Sequence, residues 1–477
     1  MPPSNPAMVN GLNGSHANGN GNGHNHISDS GSETSGESSN GSGRRRMKLN
    51  RKMSSPMAPP FMVSAPGKVI VFGEHSVVHG KAAIAAAISL RSYLHVTTLS
   101  KSKRTVSLRF ADIGLVHTWN IEDLPWEAFQ QPSKKKSYYS LVTELDPDLV
   151  AAIQPHIEVV SPNHPEEIRR VHHSSVSAFL YLFLSLGSPS FPPCLYTLRS
   201  TIPIGAGLGS SASVSVCLAS ALLLQLRTLS GPHPDQPADE ARLQVERINR
   251  WAFVSEMCIH GNPSGVDNTV ATQGKAVAKS TAHEVAKVAK LKQTHPKLVN
   301  SILDAMDKVT DAASELIEET SFDNGSVEDL SKVGELMTIN HGLLVSLGVS
   351  HPRLERVREL VDHEGIGWTK LTGAGGGGCS ITLLRPDVPA EKLQKLEERL
   401  ETENYAKFET TLGGDGIGVL WPAVLKNGTE EDEEGGMEID LEKFLEAEGT
   451  EGVEKLVGVH GDTGEREGWK FWRVESQ

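Results

Sequence analysis

The stretch "IPIGAGLGSSASVSV", residues 202–216, places three glycines and two serines in one turn directly before a run of small and apolar residues. Glycine lets a backbone approach a ligand closely, and a helix N-terminus attracts anions through its unpaired N–H groups. The turn matches neither GxxxxGK(S/T) nor GxGxxG. Two interpretations therefore stay open, a phosphate-binding loop and a tight turn before a buried helix. The candidate phosphate-binding residues are Gly205, Ala206, Gly207, Leu208, Gly209, Ser210 and Ser211.

The two ends of the chain differ in composition from its middle. Residues 1–60 are rich in Gly, Asn and Ser and offer almost nothing to bury, so we predict a disordered arm there. The arm ends in a basic run, residues 44–53, which is more often a solvated charge run than an address for the nucleus or for an anionic surface. Residues 426–477 are acidic, and we predict that they form a peripheral tail.

Charge and cysteine usage restrict the class of protein. The chain of 477 residues has 46 Lys and Arg against 59 Asp and Glu, which argues against nucleic acid as a partner. Its four cysteines form no CxxC pair, a pattern that indicates neither a zinc site nor a disulfide framework and fits a reducing compartment. The longest apolar stretch, residues 176–187, is too short to span a bilayer about 30 Å thick. We therefore predict a cytoplasmic protein without a membrane span that acts on a small molecule.

Strand and helix patterns mix irregularly along the middle of the chain. The β-branched run 69–72 and the segment 195–204 are predicted as strands, and the second delivers the chain to the glycine turn. The Ala-rich segment "KAAIAAAISL", residues 81–90, is predicted as a helix. Further helices are predicted from Ser210 onward and over residues 238–261. Elements without a regular βα alternation predict an α+β fold in two lobes.

Two carboxylates follow the glycine turn at a useful distance. Glu256 lies late in the predicted helix 238–261, and Asn262 and Pro263 are predicted to cap and open the next helix, whose first turns contain Asp267. The short turn between these helices would bring both carboxylates to one pocket. In a phosphate site Mg²⁺ needs a carboxylate beside hydroxyl and phosphate oxygens, and a hydroxyl nucleophile needs a base. Taken singly, each carboxylate is more often a surface residue.

Two further segments contain candidate residues. "PGKVIVFGEHSVVHG", residues 66–80, contributes Lys68, Glu74 and His75 around one short strand, although a solvated lysine and a structural histidine would fit the same pattern. "TGAGGGGCS", residues 372–380, is harder to explain structurally, because each glycine in regular structure costs roughly 0.5–1 kcal/mol relative to alanine. Some group must approach that backbone closely.

Four segments taken together resemble the GHMP small-molecule kinases. They are "APGKVIVFGEHSVVHG", "IPIGAGLGSSASVSVCLASALL", "EMCIHGNPSGVDNTV" and "KLTGAGGGGCSITLL". The glycine segments mark the superfamily, whereas GEHSVVHG joined to HGNPSGVDN is similar to the members that phosphorylate the C5 hydroxyl of mevalonate with ATP in isoprenoid and sterol biosynthesis. The resemblance further implies a cytoplasmic homodimer and feedback binding of prenyl diphosphates.

The resemblance also implies a two-lobe fold with the active site between the lobes. The N-terminal lobe, residues 61–277, would be like the second domain of ribosomal protein S5, and its glycine turn would hold the ATP phosphates. The C-terminal lobe, residues 278–425, would be ferredoxin-like.

The family's functional residues fall on matching positions of this sequence. Asp267 and Lys68 match its catalytic residues, and Ser211 and Glu256 match its Mg²⁺ ligands. Substrate-pocket residues and the third glycine motif of the family correspond to His75, Glu74, Thr281, Gly373, Ala374, Gly375, Gly376 and Gly377.

The chain departs from the family pattern near residue 278. The family continues there with an apolar strand that opens the C-terminal lobe, whereas here Lys279, Ser280 and Thr281 follow almost directly. We predict that a segment of roughly 30 residues containing this strand is missing. Its loss favours an alternative in which a GHMP-fold protein binds a nucleotide or metabolite without catalysis. Another alternative is a different GHMP kinase, such as phosphomevalonate kinase, which would need an additional basic pocket.

Overall fold

The structure is a computed structural model, and it describes residues 7–11, 58–279, 286–425, 436–460 and 465–473. The strands in these ranges are β1 Ala7–Gly11, β2 Phe61–Phe72, β3 Ala82–Thr98, β4 Thr105–Phe110, β5 Leu115–Asn120, β6 Cys194–Ser200, β7 Lys275–Lys279, β8 Gly367–Leu371, β9 Cys379–Leu384, β10 Ala406–Thr410, β11 Gly418–Leu420, β12 Val424–Leu425, β13 Met437–Glu438, β14 Val459–His460, β15 Glu465–Arg466 and β16 Lys470–Phe471. The α-helices are α1 Trp126–Gln130, α2 Pro147–Glu158, α3 Glu166–Leu186, α4 Ser210–Gln225, α5 Ala238–His260, α6 Val266–Gln273, α7 Ala286–Thr294, α8 Pro296–Glu318, α9 Val327–Ser346, α10 Pro352–Asp362, α11 Ala390–Thr402, α12 Leu441–Glu446 and α13 Gly449–Leu456.

The N-terminal lobe is built on an eight-stranded sheet with the order β16-β11-β2-β3-β6-β4-β5, in which β7 also pairs with β3. Because β3 is 17 residues long, one of its edges pairs with β2 and the other is shared by β6 and β7. Helix α4 packs directly on β2 and β3, and α3 and α5 pack beside it. The shared core buries large side chains such as Leu94, Phe179 and Trp251.

Residues 81–90 belong mostly to strand β3, so the prediction of a helix there was wrong. Along this part of β3 most side chains alternate between buried and half-buried, and Ala85 and Ala87 pack against Val266 and Val270 of α6. Strand pairing on both edges satisfies the backbone and outweighs the helix propensity of alanine, which is a weak prior. The small side chains allow α6, which carries one candidate carboxylate, to lie close to the sheet.

The helices around the site begin and end at glycines. Helix α4 starts directly after Gly209, and α5 ends before Gly261, whose N–H donates to the Met257 carbonyl. The predicted helix start at Asn262 and Pro263 was wrong. Gly265, with φ of +78°, caps α6 instead, and the helix begins at Val266.

The C-terminal lobe has a four-stranded antiparallel sheet with the order β10-β1-β9-β8. Strands β8, β9 and β10 come from residues 367–410, whereas β1 comes from the N-terminal arm for which the composition predicts disorder. These five residues pair with a strand on each side, so their backbone N–H and C=O groups have hydrogen-bond partners. Such main-chain pairing does not require apolar side chains, which is why composition did not predict it. Helices α9 and α10 pack on β8.

A shared apolar cluster holds the two lobes together. It joins side chains of β2 and β3 to side chains of α8, α9 and β9, including Val69, Phe72, Ile88, Val309, Met337 and Ile381. The relative position of the lobes is therefore fixed by a buried interface beside the cleft.

The described residues beyond Leu425 pack onto the N-terminal lobe, where the composition predicts a peripheral tail. Strand β16 pairs with β11 at the sheet edge, and Phe444 and Trp469 are buried. The Arg199 guanidinium donates hydrogen bonds to three main-chain carbonyl groups within residues 444–447. The prediction of a peripheral tail rested on the acidic composition of the segment and did not take account of the few aromatic side chains that make these contacts.

Replacing Trp469 with alanine tests whether the C-terminal segment is part of the folded core. Its indole is 8% exposed, stacks edge-on against Tyr93 at 5.9 Å and donates to the Val457 carbonyl at 2.8 Å. We expect Trp469→Ala to lower the free energy of unfolding by about 3–5 kcal/mol in urea titrations. Trp421→Ala, at a side chain 43% exposed, is the matched control with a smaller expected loss. If Trp469→Ala lowered the free energy of unfolding no more than Trp421→Ala does, the C-terminal segment would be peripheral.

Candidate active site

The turn at residues 205–211 connects β6 to α4 and forms one wall of a cleft. Gly205, Gly207 and Gly209 have φ values of +71°, +78° and +73°, a backbone region that favours glycine. A Cβ atom on Gly209 would lie only 2.9 Å from Cγ of Lys68. Helix α4 has 16 residues and starts here, so its unpaired N–H groups lie at the turn. The turn is thus built to receive an anion.

Lys68 connects this turn to a carboxylate. Its side chain is 6% exposed, and Nζ lies 3.3 Å from Asp267 Oδ1. The same ammonium group donates to the Gly207 carbonyl at 3.3 Å, and the Lys68 N–H donates to the Leu208 carbonyl at 2.8 Å. The Asp267 side chain is 32% exposed and lines the cleft. A buried cation therefore holds the glycine turn beside a carboxylate that a substrate can reach.

Glu256 is a buried carboxylate that faces two serine hydroxyls. Ser211 Oγ donates to it at 3.3 Å and Ser215 Oγ at 3.1 Å. Burial, followed by the negative charge of Asp267, raises the pKa of Glu256 to about 7. His260 adds an imidazole whose Nε2 lies 3.1 Å from Ser211 Oγ. This corner concentrates oxygen ligands and negative charge, an environment that a hard cation would stabilise.

His75 lies in the cleft with a strained backbone. Its φ of +61° is in the left-handed region that non-glycine residues rarely occupy, and such residues cluster at functional sites. The imidazole Nε2 lies 3.0 Å from the Ala374 carbonyl, which requires the proton on Nε2 in the neutral ring. Nδ1 is buried and has no hydrogen-bond partner among the residues that the structure describes. That nitrogen is available to accept a hydrogen bond from a ligand.

The titration of His75 is a direct check on this geometry. Burial lowers its pKa from 6.5 to about 4. Between these values the unfolded chain binds a proton that the folded site does not, so His75 contributes its full stabilisation above pH 6.5 and loses it as the pH falls toward 4. We expect the His75 ring resonance in NMR spectra, assigned with a His75→Asn variant, to titrate near pH 4. A midpoint near 6.5 would contradict the buried neutral ring.

Glu74 belongs to a buried ion pair that joins the lobes. Its carboxylate accepts hydrogen bonds from the Lys370 ammonium and, at 3.0 Å, from the Asn340 amide, and both charged side chains are fully buried. Burial raises the pKa of Glu74 and lowers that of Lys370, and the attraction between them opposes both changes. Lys370 also donates to the Leu371 carbonyl at 2.9 Å. Glu74 directly precedes His75 in the sequence, so its pairing with Lys370 fixes β8 to the turn after β2.

The second glycine loop connects β8 to β9 and meets the first across the cleft. Cβ atoms on Gly373 and Gly378 would lie 3.7 Å and 3.6 Å from carbonyl oxygens of Gly207 and Ala206. A Cβ on Gly375 would lie 2.1 Å from the Val349 carbonyl, which no side chain tolerates. Other groups of the protein, namely the Val349 carbonyl and the first glycine loop, therefore approach this backbone closely, as the glycine content predicts.

The cleft between these groups has a volume of about 630 Å³. Its polar end is formed by the two glycine loops, Lys68, His75, Ser211 and Asp267. Its other end lies among α3, α4, β4 and β6 and is lined by Phe110, Ala178, Leu198, Val214 and Leu218. A lining that combines an anion-binding turn with these apolar side chains can accept a ligand that has an anionic part and an apolar part.

Comparison with known proteins identifies the family. The model of the GHMP kinases N terminal domain matches residues 174–275, and the model described as GHMP kinases C terminal matches residues 312–402. A mevalonate kinase from Gibberella zeae is 94% identical, and the alignment covers 100% of both chains. The chain belongs to the mevalonate kinase family. The mevalonate kinase of Aspergillus fumigatus is 64% identical over 91% of this chain and 86% of its own length, and the human one is 32% identical over 75% and 94%.

A solved mevalonate kinase shares the fold. The structure of L. major mevalonate kinase in complex with R-mevalonate aligns with a TM-score of 0.51 at 21% identity, over 76% of this chain and 100% of that chain. The predicted α+β fold with two GHMP kinase lobes is confirmed.

The alignment to the Gibberella zeae mevalonate kinase also shows a difference in length. It spans 508 positions, and the present chain has 477 residues, so at least 31 positions have no counterpart in this chain. This size agrees with the segment that the sequence predicts to be missing near residue 278.

The structure brings most of the predicted mevalonate kinase residues into one cleft. Lys68, His75, Ser211, Asp267 and the residues of both glycine loops that contact them line it or its walls. Glu256 faces Ser211 behind the first loop. Glu74 lies beside the cleft with its carboxylate bound to Lys370 and Asn340. Thr281 lies outside the described residues.

Sequence reasoning missed four residues of this mevalonate kinase site. Asn340 and Lys370 hold Glu74, and Ser215 and His260 surround Glu256 and Ser211. Helical spacing could have found two of them, because His260 lies four residues after Glu256, and Ser215 lies four after Ser211. Lys370 is the one charged residue of strand β8, but the neighbouring sequence does not indicate which residue it pairs with.

The described ranges lack a membrane span and a ready-made metal centre. They contain no helix long and apolar enough to cross a membrane. They also contain no group of three or more His, Cys, Asp or Glu side chains placed to hold a metal ion unaided.

Proposed function

We propose that this chain transfers the γ-phosphoryl group of ATP to the C5 hydroxyl of mevalonate, giving ADP and 5-phosphomevalonate in isoprenoid and sterol biosynthesis. The carrying observation is the Lys68–Asp267 pair, 3.3 Å apart, beside the anion-binding turn of residues 205–211. A carboxylate and an ammonium at that point can activate a hydroxyl and stabilise the charge of a transferring phosphoryl group. The mevalonate kinases named above support the choice of substrate.

Asp267 and Lys68 divide the chemistry at the acceptor. Asp267, the more exposed of the two, accepts or orients the proton of the attacking hydroxyl. The Lys68 ammonium offsets the negative charge that builds between this hydroxyl and the γ-phosphoryl group. Because phosphoryl transfer needs little covalent participation by the protein, positioning and electrostatics supply most of the rate.

The nucleotide occupies both ends of the cleft in this proposal. The N–H groups of residues 205–211 and the α4 N-terminus bind the phosphates. The apolar end between α3 and α4 accommodates the adenine ring, and the loop at Gly373–Gly377 supports the phosphates from the C-terminal lobe.

The residues present fit a Mg²⁺ ion. Ser211 and Glu256 offer a hydroxyl and a carboxylate 3.3 Å apart, and Mg²⁺ characteristically takes few protein ligands and completes its shell with water and phosphate oxygens. Burial and the negative charge of Asp267 raise the pKa of Glu256, and a bound cation would favour the charged form of this carboxylate. When bound with ATP, the ion neutralises phosphate charge.

The neutral His75 ring is a substrate-pocket residue in this proposal. Its buried Nδ1 has no partner among the described side chains and can accept a hydrogen bond from mevalonate. Glu74 acts through the strained turn that holds His75, since its carboxylate is bound to Lys370 and Asn340. A contact of mevalonate with Thr281 stays a prediction.

The cation content of the cleft favours mevalonate over its phosphorylated product as the acceptor. The Lys and Arg side chains among its described lining residues are Lys68 and Arg170, which form ion pairs with Asp267 and Glu166. ³¹P NMR of the products tests this choice. We expect a new phosphomonoester from mevalonate and ATP, and no new diphosphate when 5-phosphomevalonate is the acceptor. The opposite pattern would assign the chain to phosphomevalonate kinase.

The same proposal includes a cytoplasmic homodimer that prenyl diphosphates inhibit. An isoprenoid diphosphate has an anionic end that could bind the glycine turn. Its apolar chain could bind the end of the cleft that Phe110, Leu198 and Leu218 line. Competition between farnesyl diphosphate and ATP in initial-rate kinetics tests this part, and noncompetitive inhibition would remove it.

A further inference from the structure

The sheet of the C-terminal lobe contains a position that the lobe's own described residues do not fill. From residue 286 to 410 the lobe supplies helices, β8, β9, α11 and β10, which are the last five parts of a β-α-β-β-α-β unit. In the sheet order β10-β1-β9-β8, the strands β9 and β10 lie one strand apart. In such a unit the position between these two strands is taken by the opening strand, which residues 286–410 do not supply.

The segment Ala7–Gly11 occupies this place along its whole length. Ala7 lies opposite Leu383 and Thr410, and Gly11 lies opposite Cys379 and Ala406. The segment runs antiparallel to both neighbours, which is the direction that the opening strand requires. All five residues therefore have a strand partner on each side.

The chain has no described alternative for this position. Strand β7, which contains the predicted deletion point near residue 278, pairs with β3 in the N-terminal lobe, and the next described element is α7 from Ala286. At least 31 aligned positions of the Gibberella zeae relative have no counterpart here. The 46 residues between Gly11 and Ala58 could span roughly 150 Å when extended, so the connection is long enough.

We infer that Ala7–Gly11 is a donor strand that completes the C-terminal lobe in place of the opening strand that this chain lacks. The slot between β9 and β10 is thus a binding site for one extended peptide strand, and its occupant is the N-terminal segment of the same chain. Such a strand supplies main-chain hydrogen bonds on both edges, as in other cases of strand addition. This strand addition affects folding and does not depend on the proposed reaction.

Cross-linking in the full chain tests the register. Met8 lies opposite Glu409, an exposed residue of β10, and opposite residues in an antiparallel pair have Cα atoms about 4.5–5.5 Å apart, within disulfide range. We expect Met8→Cys/Glu409→Cys to form an intrachain disulfide in oxidised glutathione about fivefold or more faster than Val9→Cys/Glu409→Cys, which is one residue out of register. Peptide mapping identifies the bond. Equal rates, no cross-link, or disulfide-linked dimers would overturn the inference.

Deleting residues 1–57 tests the consequence for the lobe. We expect hydrogen exchange at β9 and β10 to become at least about tenfold faster and the melting temperature to fall by roughly 5 °C or more. Deleting residues 16–40 keeps the donor strand and should change neither quantity. Unchanged exchange at β9 and β10 after removal of residues 1–57, or the same change in both variants, would show that the segment does not complete this sheet.

Discussion

Asp267→Asn should lower kcat with mevalonate by about 10²–10⁴-fold while leaving ATP affinity within a few-fold of the native value. The substitution removes the carboxylate that accepts or orients the hydroxyl proton but keeps the size of the side chain. The glycine turn, α4 and Glu256 are unchanged, and these are the groups assigned to the phosphates. Initial-rate kinetics and equilibrium binding of ATP measure the two quantities separately.

Asp304→Asn is the matched control for this prediction. Asp304 also pairs with a lysine, Lys81, at 2.8 Å, but its side chain is 60% exposed and lies outside the cleft. We expect its kcat to equal that of the native chain. A parallel fall of turnover and ATP affinity in Asp267→Asn would assign Asp267 to nucleotide binding and remove it as the base.

Lys370→Met should be the most destabilising single substitution among the site residues. It leaves the Glu74 carboxylate fully buried without its cation, and breaking a buried ion pair in this way costs about 3–5 kcal/mol. We also expect the KM for mevalonate to rise, because the turn that holds His75 follows Glu74 directly. Urea unfolding and steady-state kinetics give the two readouts.

A double substitution separates loss of the pair from loss of packing. Lys370→Met/Glu74→Gln removes both charges, so it should recover a large part of the lost stability, since neutral replacement of a buried pair is often tolerated. Lys392→Met, at an exposed lysine of α11, should change little. If the double variant were as unstable as Lys370→Met, the cost would lie in packing and the ion pair would not be the clamp between the lobes.

The polar end of the site could be predicted from the sequence because its residues are close to glycine turns along the chain. Gly205–Ser211 adopts the positive φ values that its three glycines allow, and Glu256 and Asp267 meet across the short turn between α5 and α6. Local sequence determines these features. The start of α6 was misplaced by a few residues, since Gly265 competes with Asn262 as a cap.

Contacts between distant segments could not be predicted in the same way. The alanines of residues 82–90 have high helix propensity, yet they form a strand because pairing with β2 and β7 decides their conformation. Lys370 meets Glu74 across 296 positions of sequence, and no periodicity predicts that pair. The buried aromatic side chains of the C-terminal segment are similarly concealed by its acidic composition.

The most direct test of the central claim is mevalonate-dependent ADP formation by the purified chain of 477 residues. We predict ADP release that requires both mevalonate and Mg²⁺ and that falls about 10²-fold or more in Asp267→Asn. Absence of mevalonate-dependent ADP from a protein that unfolds cooperatively and still binds ATP would contradict the account. The cleft would then belong to a nucleotide-binding protein of the family that does not transfer the phosphoryl group.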